Sequence, residues 1–325
     1  MHRLAHHVLS DTAIVIAVCV APSYIILSLD DQTIHVHTAT GQPQRVLKCH
    51  AANARCLAVQ DDSLLSGHMD GSIQVWSLQT GESLRTMTGH TGTVRSVNFL
   101  GAQAAVSASR DATLRTWDLA TGASTATLAG HDKSVASLAL RGDVAVSGSD
   151  DGLVRIWSLS GQSCLAACPG HTAEVRAVAI ADDGSRIFSG SRDGHVRVWD
   201  PTGACIAVLQ GHSSLVSHVR VHRDFLVTAG ADGQIRVWSA KSLLLKYAVH
   251  ATEASVTSLD IFENRVLSGQ SDGLVRLWDF ETGAALGCVG SKSEAVWHTE
   301  SSNGRSTIVV AAREDDASTL SLWQL

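Results

Sequence analysis

Short apolar-rich runs alternate with polar turns along almost the whole chain. Between residues 94 and 128, four such runs of five or six residues occupy Val94–Phe99, Ala104–Ser109, 113–117 and Ser124–Leu128. Runs of this length, separated by Gly, Asp and Thr, are typical of β-strands joined by hairpin turns. We therefore expect each such unit to form a four-stranded antiparallel sheet.

The unit recurs along the chain, and an Asp followed six residues later by Trp marks six of its copies. The six clear pairs are Asp70/Trp76, Asp111/Trp117, Asp151/Trp157, Asp193/Trp199, Asp232/Trp238 and Asp272/Trp278. Asp31 with His37 and Asp316 with Trp323 are weaker copies near the two ends. A repeat of about 40 residues with this signature predicts a β-propeller, here an all-β fold with eight blades.

The two ends of the chain are expected to complete one blade. The last unit provides three apolar runs and lacks a fourth, whereas residues 3–7 resemble residues 127–131, which end the fourth strand of another unit. We therefore predict that an N-terminal strand closes the last blade, and that residues 1–325 form a single domain without an open sheet edge. Seven blades with an irregular N-terminal addition is the alternative.

Residues 13–29 form the longest apolar stretch of the chain. A stretch of this kind resembles a signal peptide or a membrane span. However, Pro22 and Ser23 interrupt it, and the phase of the repeat divides it into two runs, 13–18 and Tyr24–Leu29. Because strands that are buried on both faces are apolar throughout, we predict two buried strands here.

Composition narrows the classes of partner. The formal net charge of −6 favours neither nucleic acid nor an anionic membrane as a partner. The seven Cys are odd in number and include no Cys-x-x-Cys pair. We therefore expect reduced thiols that pack in the core, no zinc site, and a protein of the cytoplasm, the nucleus or both.

Six units also share a His and a hydroxyl residue with the Asp and Trp. In the third unit the set is His90, Ser107, Asp111 and Trp117. Ser, His and Asp together suggest a hydrolase, but a catalytic set is needed once, whereas mutually satisfied buried polar groups explain a sixfold repeat. The chain has no nucleophile-elbow, nucleotide-binding or metalloprotease motif. We predict a structural role for these sets, no enzyme activity, no cofactor and no metal.

Two positions in each unit vary in residue type. One follows the Val that opens the first strand, and the other directly precedes the turn Asp. We expect both positions to lie at the same end of the propeller, near the mouth of its central channel. Arg is frequent there, and the candidate binding residues are Arg55, Arg95, Arg110, Arg176, Arg192, Trp297 and Arg313.

The third and fifth units each carry two of these arginines, Arg95 with Arg110 and Arg176 with Arg192. Two converging guanidinium groups repel each other unless an anion lies between them. Phosphate suits such a pair, because guanidinium binds it bidentately and a phosphorylated side chain carries about −1.5 to −2 charges. The alternative is that these arginines stack across blades and form surface ion pairs with Asp150 or Asp193.

The chain resembles the propeller of the F-box/WD-repeat substrate receptors of SCF ubiquitin ligases. The resemblance is carried by residues 89–95 (Gly-His-Thr-Gly-Thr-Val-Arg) and 109–118 (Ser-Arg-Asp-Ala-Thr-Leu-Arg-Thr-Trp-Asp), which are similar to that family's third blade. Residues 295–297, 308–313 and 320–322 resemble its atypical closing blade, and residues 211–215 resemble its sixth.

The resemblance implies a phosphopeptide site with three arginines on one face of an eight-bladed WD-repeat β-propeller. Two of these positions correspond to Arg95 and Arg110, but the third holds Ala136. Loss of one phosphate-binding Arg is worth about 1.5–3 kcal/mol if its charged hydrogen bonds are simply lost. Arg55, where the family carries an aromatic residue, and Arg176 are candidates to compensate.

Two functions are therefore expected from the sequence. The first is a phosphodegron-binding substrate-recognition module of an SCF-type ubiquitin ligase, with a phosphorylated protein as its substrate. The F-box of such receptors lies upstream of the propeller and is not expected within this chain, so the ligase core is a partner only if an F-box is joined upstream. The alternative is a general WD-repeat scaffold that binds proteins without recognising phosphate, which Ala136 favours.

Overall fold

The structure is a computed structural model that describes residues 2–250, 253–290, 292–293, 295–301 and 307–324, without the side chains of residues 295 and 297–301. The described residues form 32 strands, which pair into eight four-stranded antiparallel sheets, and no helix. The protein is thus all-β with an eight-bladed β-propeller arrangement. The eight-blade prediction is confirmed and the seven-blade alternative is wrong.

The chain separates into two compact units of four blades each, one of which is residues 87–253. With the blades numbered in chain order, this unit contains blades 3 to 6. Blade 3 contains β10 (Val94–Phe99), β11 (Ala104–Ser109), β12 (Leu114–Asp118) and β13 (Ser124–Leu128). Blade 4 contains β14 (Val135–Arg141), β15 (Val144–Ser149), β16 (Val154–Ser158) and β17 (Ser163–Cys168). Blade 5 contains β18 (Val175–Ile180), β19 (Ile187–Ser191), β20 (Val196–Trp199) and β21 (Cys205–Leu209). Blade 6 contains β22 (Val216–His222), β23 (Phe225–Gly230), β24 (Gln234–Ser239) and β25 (Leu245–His250).

The other unit comprises residues 1–86 and 254–325. Blade 1 contains β2 (Val15–Val20), β3 (Tyr24–Leu29), β4 (Thr33–Thr38) and β5 (Pro43–Lys48). Blade 2 contains β6 (Ala54–Gln60), β7 (Ser63–His68), β8 (Ile73–Ser77) and β9 (Ser83–Met87). Blade 7 contains β26 (Val256–Phe262), β27 (Arg265–Gln270), β28 (Val275–Asp279) and β29 (Ala285–Val289). Blade 8 contains β30 (Ala295–Ser301), β31 (Thr307–Glu314), β32 (Ala317–Gln324) and β1 (His2–Ser10).

The N-terminal strand closes blade 8, as predicted. Strand β1 pairs with β32 in antiparallel register, with His6 opposite Ser321 and His7 opposite Leu320. The His6 imidazole also lies 2.9 Å from the Ser321 hydroxyl. Beneath this pairing, Leu320 packs in one apolar cluster with Leu27 of blade 1. The first and last strands of the chain are therefore held by both backbone and apolar contacts.

Residues 13–29 form two strands, as predicted, but only the second is buried: β3 is buried from Ile25 to Leu29, whereas β2 is half-buried after Val15. The second strand of each blade is the most deeply buried because it packs on both faces. Val106 of β11, for example, lies in one cluster with Ala145 of β15 and Trp157 of β16. Burial of one such side chain contributes about 1.5–3 kcal/mol to folding. The part of the chain that the structure describes contains no helix long and apolar enough to cross a membrane.

The cysteines differ from the expectation. Cys49 and Cys168 are buried, but Cys164, Cys205 and Cys288 are exposed on the outermost strands of blades 4, 5 and 7. The core interpretation is therefore wrong for these three thiols. The outermost strand of a blade has one face in water, and the position within that strand decides which thiols are buried.

Candidate functional site

A β-bulge defines the first variable position in every blade. In blade 3, Val94 pairs with Ser109 and Ser96 pairs with Ala108, so that Arg95 is the extra residue of the bulge. A bulge bends the strand and re-aims the side chain that it carries. The same register shift occurs in the first strand of all eight blades, and we call its residue the bulge position. The bulge positions hold Ile16, Arg55, Arg95, Ala136, Arg176, Ser217, Thr257 and Trp297.

The second variable position, which we call the turn position, lies beside the bulge. In blade 3 the Arg110 amide donates a 2.9 Å hydrogen bond to the carbonyl of Thr93, two residues before Arg95. The equivalent bond is present in blades 1 to 7, at 2.9 to 3.1 Å. The bulge and turn positions therefore lie at the same end of each of these blades. We call it the bulge end.

In blade 3 the turn that carries Arg110 is held on several sides. The Ser109 hydroxyl donates to the Gly92 carbonyl at 2.8 Å and accepts from the Asp111 amide at 3.1 Å. A Cβ added to Gly92 would lie 3.0 Å from the Asp111 nitrogen and 3.3 Å from the Arg110 Cβ. The loop and the turn thus approach closely enough to favour Gly. Arg110 itself is exposed and Arg95 is half-buried, so blade 3 presents two guanidinium groups at one end.

A complete hydrogen-bonded chain of four side chains lies beneath the bulge end in blades 3 to 6. In blade 3 the Trp117 indole donates to Ser107 at 2.8 Å, Ser107 contacts His90 at 2.7 Å, and His90 contacts Asp111 at 2.7 Å. Blades 4 and 5 repeat it with distances of 2.7 to 2.9 Å, and blade 6 uses Thr228 in place of Ser. We call each chain a tetrad.

The electrostatics of the tetrad fit a fixed structural link. Burial lowers the pKa of His90, although Asp111 opposes it. Burial also disfavours ionised Asp111, but hydrogen bonds from Thr113 and from the Thr91 amide outweigh it and hold the pKa of Asp111 below its usual value. Neutral His90 therefore donates to ionised Asp111 and accepts from Ser107. The fully buried Ser107 hydroxyl is inaccessible to a substrate.

Blade 2 departs from the predicted tetrad. Trp76 donates to Ser66 at 2.8 Å, but the imidazole that contacts Ser66 belongs to His68, whose other nitrogen contacts the Ala52 carbonyl at 2.8 Å. His50 instead contacts Gln74. The reason is local: His68 lies two residues after Ser66 in the same strand, and therefore on the same face. The predicted set of four residues, which in blade 2 is His50, Ser66, Asp70 and Trp76, is therefore wrong for this blade.

Blade 7 also lacks the complete tetrad. Trp278 donates to Ser268 at 3.0 Å, but the Asp272 carboxylate forms a 2.9 Å ion pair with Arg276, four residues later. His250 lies 3.4 Å from Glu253 instead. The sixfold set predicted from the sequence is therefore complete in four blades. An Arg four residues after the turn Asp does not set blade 7 apart, because blades 3 to 6 carry one as well. The available signal was the position of the imidazole: His250 lies six residues before the strand-opening Val256, whereas His90 lies four residues before Val94.

The arginines of blade 5 face acidic partners. Arg176 lies 3.4 Å from the Asp150 carboxylate of blade 4, which is one of the ion pairs that the alternative interpretation named. Arg192 pairs with Glu174 at 3.2 Å rather than with Asp193, which belongs to the blade 5 tetrad. Glu174 lies two residues before the bulge, at a third variable position that the sequence reasoning missed. Its constant distance from the strand-opening Val was the available signal.

The remaining candidates belong to the other compact unit. Arg55 occupies the bulge position of blade 2 and is exposed. Arg313 is the register partner of Ala295 in blade 8 and lies 3.8 Å from the exposed carboxylate of Asp316. Trp297 occupies the bulge position of blade 8, and its side chain lies outside the described part of the structure. The structure thus places Arg95 and Arg110 at the same end of blade 3 and gives Arg176 and Arg192 acidic neighbours.

Comparisons with known proteins agree with the repeat. The family model described as "WD domain, G-beta repeat" matches residues 41–77, 81–118, 122–158, 162–200, 203–239 and 241–279. The crystal structure of the computationally designed Ika8 protein is similar over 98% of both chains, with a TM-score of 0.88 and 26% sequence identity.

Two curated relatives are similar over shorter stretches. The chain is 36% identical over 83 residues, 25% of its length, to F-box/WD repeat-containing protein sel-10 of Caenorhabditis elegans. It is 33% identical over 110 residues, 33% of its length, to Cell division control protein 4 of Saccharomyces cerevisiae. The chain covers 14% of each relative's length.

Proposed function

Because the chain belongs to the WD40 repeat family and is a protein-interaction propeller, we propose that it binds a phosphorylated, acidic, Pro-containing peptide at the bulge ends of its blades. The observation that carries this proposal is the pairing of Arg95 and Arg110 at one end of blade 3. Arg110 is exposed and has no ion pair with any residue that the structure describes.

Charge and geometry support phosphate as the group recognised. A phosphorylated side chain brings about −1.5 to −2 charges and three acceptor oxygens. Guanidinium groups bind phosphate through bidentate, charge-assisted hydrogen bonds. The blade 3 tetrad and the Ser109 contacts fix the turn that carries Arg110, so little backbone ordering remains for binding. Arg176 and Arg192 are secondary candidates, because Asp150 and Glu174 already neutralise part of their charge.

The ligase role is the finer part of the proposal. A propeller of this kind, joined to an F-box, acts as the substrate receptor of an SCF-type ubiquitin ligase. The ligase role is supported by the printed names of two similar proteins. They are the worm F-box/WD repeat-containing protein sel-10 and zebrafish F-box and WD repeat domain-containing 11-A, to which the chain is 38% identical over 69 residues. We place the protein in the cytoplasm or nucleus and assign it recognition without catalysis.

Alanine substitution of the blade 3 arginines tests phosphate recognition. Arg95→Ala and Arg110→Ala are each expected to weaken binding of a doubly phosphorylated peptide about 10- to 100-fold, which corresponds to a loss of charged hydrogen bonds worth about 1.5–3 kcal/mol. Fluorescence anisotropy with a labelled peptide measures the affinity. Arg223→Ala is the matched control, since Arg223 is exposed in the turn after β22, at the opposite end of blade 6. Equal binding of the unphosphorylated peptide would contradict the proposal.

Asp150→Asn tests whether Arg176 belongs to the same site. Removing the carboxylate releases the Arg176 guanidinium, and the phosphopeptide affinity is expected to rise by up to about fivefold, the scale of one partly exposed ion pair. The same anisotropy titration measures the gain. Asp143→Asn, at the other end of blade 4, controls for the change in net charge. An unchanged affinity in the Asp150 variant, or a gain that persists when Arg176→Ala is added to it, would exclude Arg176 from the site.

A phosphate-independent scaffold is the second candidate function. Blade 4 favours it, because Ala136 occupies its bulge position and Asp150 its turn position. An acidic residue there disfavours an approaching phosphate. This candidate predicts that phosphatase treatment of a bound partner leaves the complex intact, and that the Arg95 and Arg110 substitutions do not affect it.

A further inference from the structure

Two exposed thiols occupy equivalent positions on the outermost strands of blades 4 and 5. Cys164 of β17 pairs in register with Trp157, and Cys205 of β21 pairs with Trp199. In both blades a β-bulge follows the cysteine, and both cysteines are exposed. The two thiols therefore share one local geometry, and both belong to the compact unit 87–253.

Each of these thiols contacts a guanidinium group. Arg155 of β16 donates from Nη1 to the Cys164 sulfur at 3.5 Å, and Arg197 of β20 donates from Nη1 to the Cys205 sulfur at the same distance. The Nε of each arginine is buried and has no hydrogen-bond acceptor among the described residues. Neither arginine forms an ion pair with an acidic side chain in the described part of the chain. Each thiol thus lies beside a positive charge that no ion pair neutralises.

Cys288 provides an internal reference for these two thiols. It is exposed on β29 of blade 7, in register opposite Arg276. However, the Arg276 guanidinium forms the 2.9 Å ion pair with Asp272. Cys288 therefore has a comparable exposed position without an unneutralised guanidinium group. Cys168, in contrast, is buried, which raises its pKa to about 11 and keeps it protonated at neutral pH.

Blade 3 carries the same arrangement with a hydroxyl in place of the thiol. Ser124 of β13 accepts from Arg115 Nη1 at 3.3 Å and donates to the Ala126 carbonyl at 3.3 Å. The Cys164 thiol likewise donates to the Ala166 carbonyl at 3.3 Å. A hydroxyl thus satisfies the structural contacts of this position, and what a cysteine adds is a nucleophilic sulfur.

We propose that Cys164 and Cys205 are sites of reversible modification by a small disulfide that carries carboxylate groups, such as glutathione disulfide. The thiolate attacks one sulfur of the reagent, so that a mixed disulfide forms and the bond between the two glutathione sulfurs breaks. The protein sulfur is thereby oxidised, and the departing glutathione is reduced and takes up the proton that the cysteine released. The neighbouring guanidinium group binds a carboxylate of the reagent and places the disulfide at the thiol.

The first test incubates the full chain with glutathione disulfide at pH 7.5 and low salt. Mass spectrometry of the intact chain counts the adducts, and non-reducing peptide mapping assigns the rate at each thiol. Cys164 and Cys205 are expected to react about fivefold faster than Cys288, the scale of one partly exposed ion pair, and dithiothreitol is expected to remove the adducts. The difference is expected to shrink at about 0.5 M salt. Equal rates at the three thiols overturn the proposal.

A cationic reagent separates charge selection from simple exposure. Cystamine is a disulfide with two ammonium groups, which the guanidinium groups repel. The ratio of the glutathione disulfide rate to the cystamine rate is therefore expected to be at least about fivefold higher at Cys164 and Cys205 than at Cys288. The same ratio at all three thiols would show that exposure alone decides their reactivity and overturns the proposal.

Substitution of the arginines tests their part in the reaction. Arg155→Gln and Arg197→Gln are each expected to slow glutathione disulfide about fivefold at the neighbouring cysteine, without slowing cystamine. Arg276→Gln is the matched control and is expected to leave the rate at Cys288 unchanged, because its guanidinium is engaged by Asp272. Thermal unfolding verifies that the variants fold. Unchanged glutathione disulfide rates in the first two variants, or equal slowing of both reagents, overturn the proposal.

Discussion

Trp117→Ala is expected to lower the free energy of unfolding by about 3–5 kcal/mol, the range for loss of a large buried aromatic side chain. Trp117 is fully buried, and its indole donates to Ser107 at 2.8 Å. The substitution leaves a cavity and removes one donor from the blade 3 tetrad. Equilibrium denaturation by urea, followed by far-ultraviolet circular dichroism, measures the loss.

The matched comparison within the tetrads uses the turn aspartates. Asp111 accepts from His90, Thr113 and the Thr91 amide, so Asp111→Ala is expected to cost about 1–3 kcal/mol. Asp70 of blade 2 accepts from the hydroxyl and amide of Ser72 and forms no hydrogen bond with an imidazole among the described residues. Asp70→Ala is expected to cost about 1 kcal/mol or less. Equal losses in the two variants would contradict the assignment of a structural tetrad to blade 3 and not to blade 2.

The fold could be predicted from the sequence because its signals are local and repeated. Strand length and turn residues recur in every blade, the Asp-to-Trp spacing recurs in blades 2 to 7, and residues 3–7 carry the pattern of a fourth strand. The departures of blades 2 and 7 from the tetrad were not predicted. In blade 2 the outcome depends on competition between two nearby imidazoles, His68 and His50, which the repeat does not reveal. In blade 7 the signal was present but was not used, since His250 lies six residues before the strand-opening Val256 and the imidazole of a complete tetrad lies four residues before its Val.

The location of the candidate residues could be predicted from the sequence, but their ion pairs could not. The bulge and turn positions follow from strand phase, so Arg95 and Arg110 were located by counting from Val94. Whether an arginine forms an ion pair with an acidic side chain depends on the direction in which the long arginine side chain extends across neighbouring strands and blades. Arg176 reaches Asp150 of the preceding blade, whereas Arg192 reaches Glu174 of its own.

His37 is expected to make the protein lose stability as the pH falls from 6.5 towards 4. His37 stands in blade 1 where other blades have Trp, is 2% exposed, and contacts the Gly41 carbonyl at 3.1 Å. Burial, opposed by that hydrogen bond and aided by His7 and His35, lowers its pKa from 6.5 to about 4. Because the unfolded chain binds a proton at higher pH than the folded chain, stability is complete above pH 6.5. The loss reaches about 3 kcal/mol near pH 4.

The position of His37 connects this titration to the closure of blade 8. Its ring centroid lies 5.6 Å from that of His7, on the closing strand β1. A proton on His37 therefore places a charge in a buried site against that strand. Urea denaturation at pH 7.5 and pH 5 is expected to show a stability loss about 2 kcal/mol larger in the wild type than in His37→Asn. His2→Asn, at an exposed position of β1, is the control. An identical pH dependence of unfolding in the wild type and in His37→Asn would show that His37 does not cause the loss of stability at acidic pH.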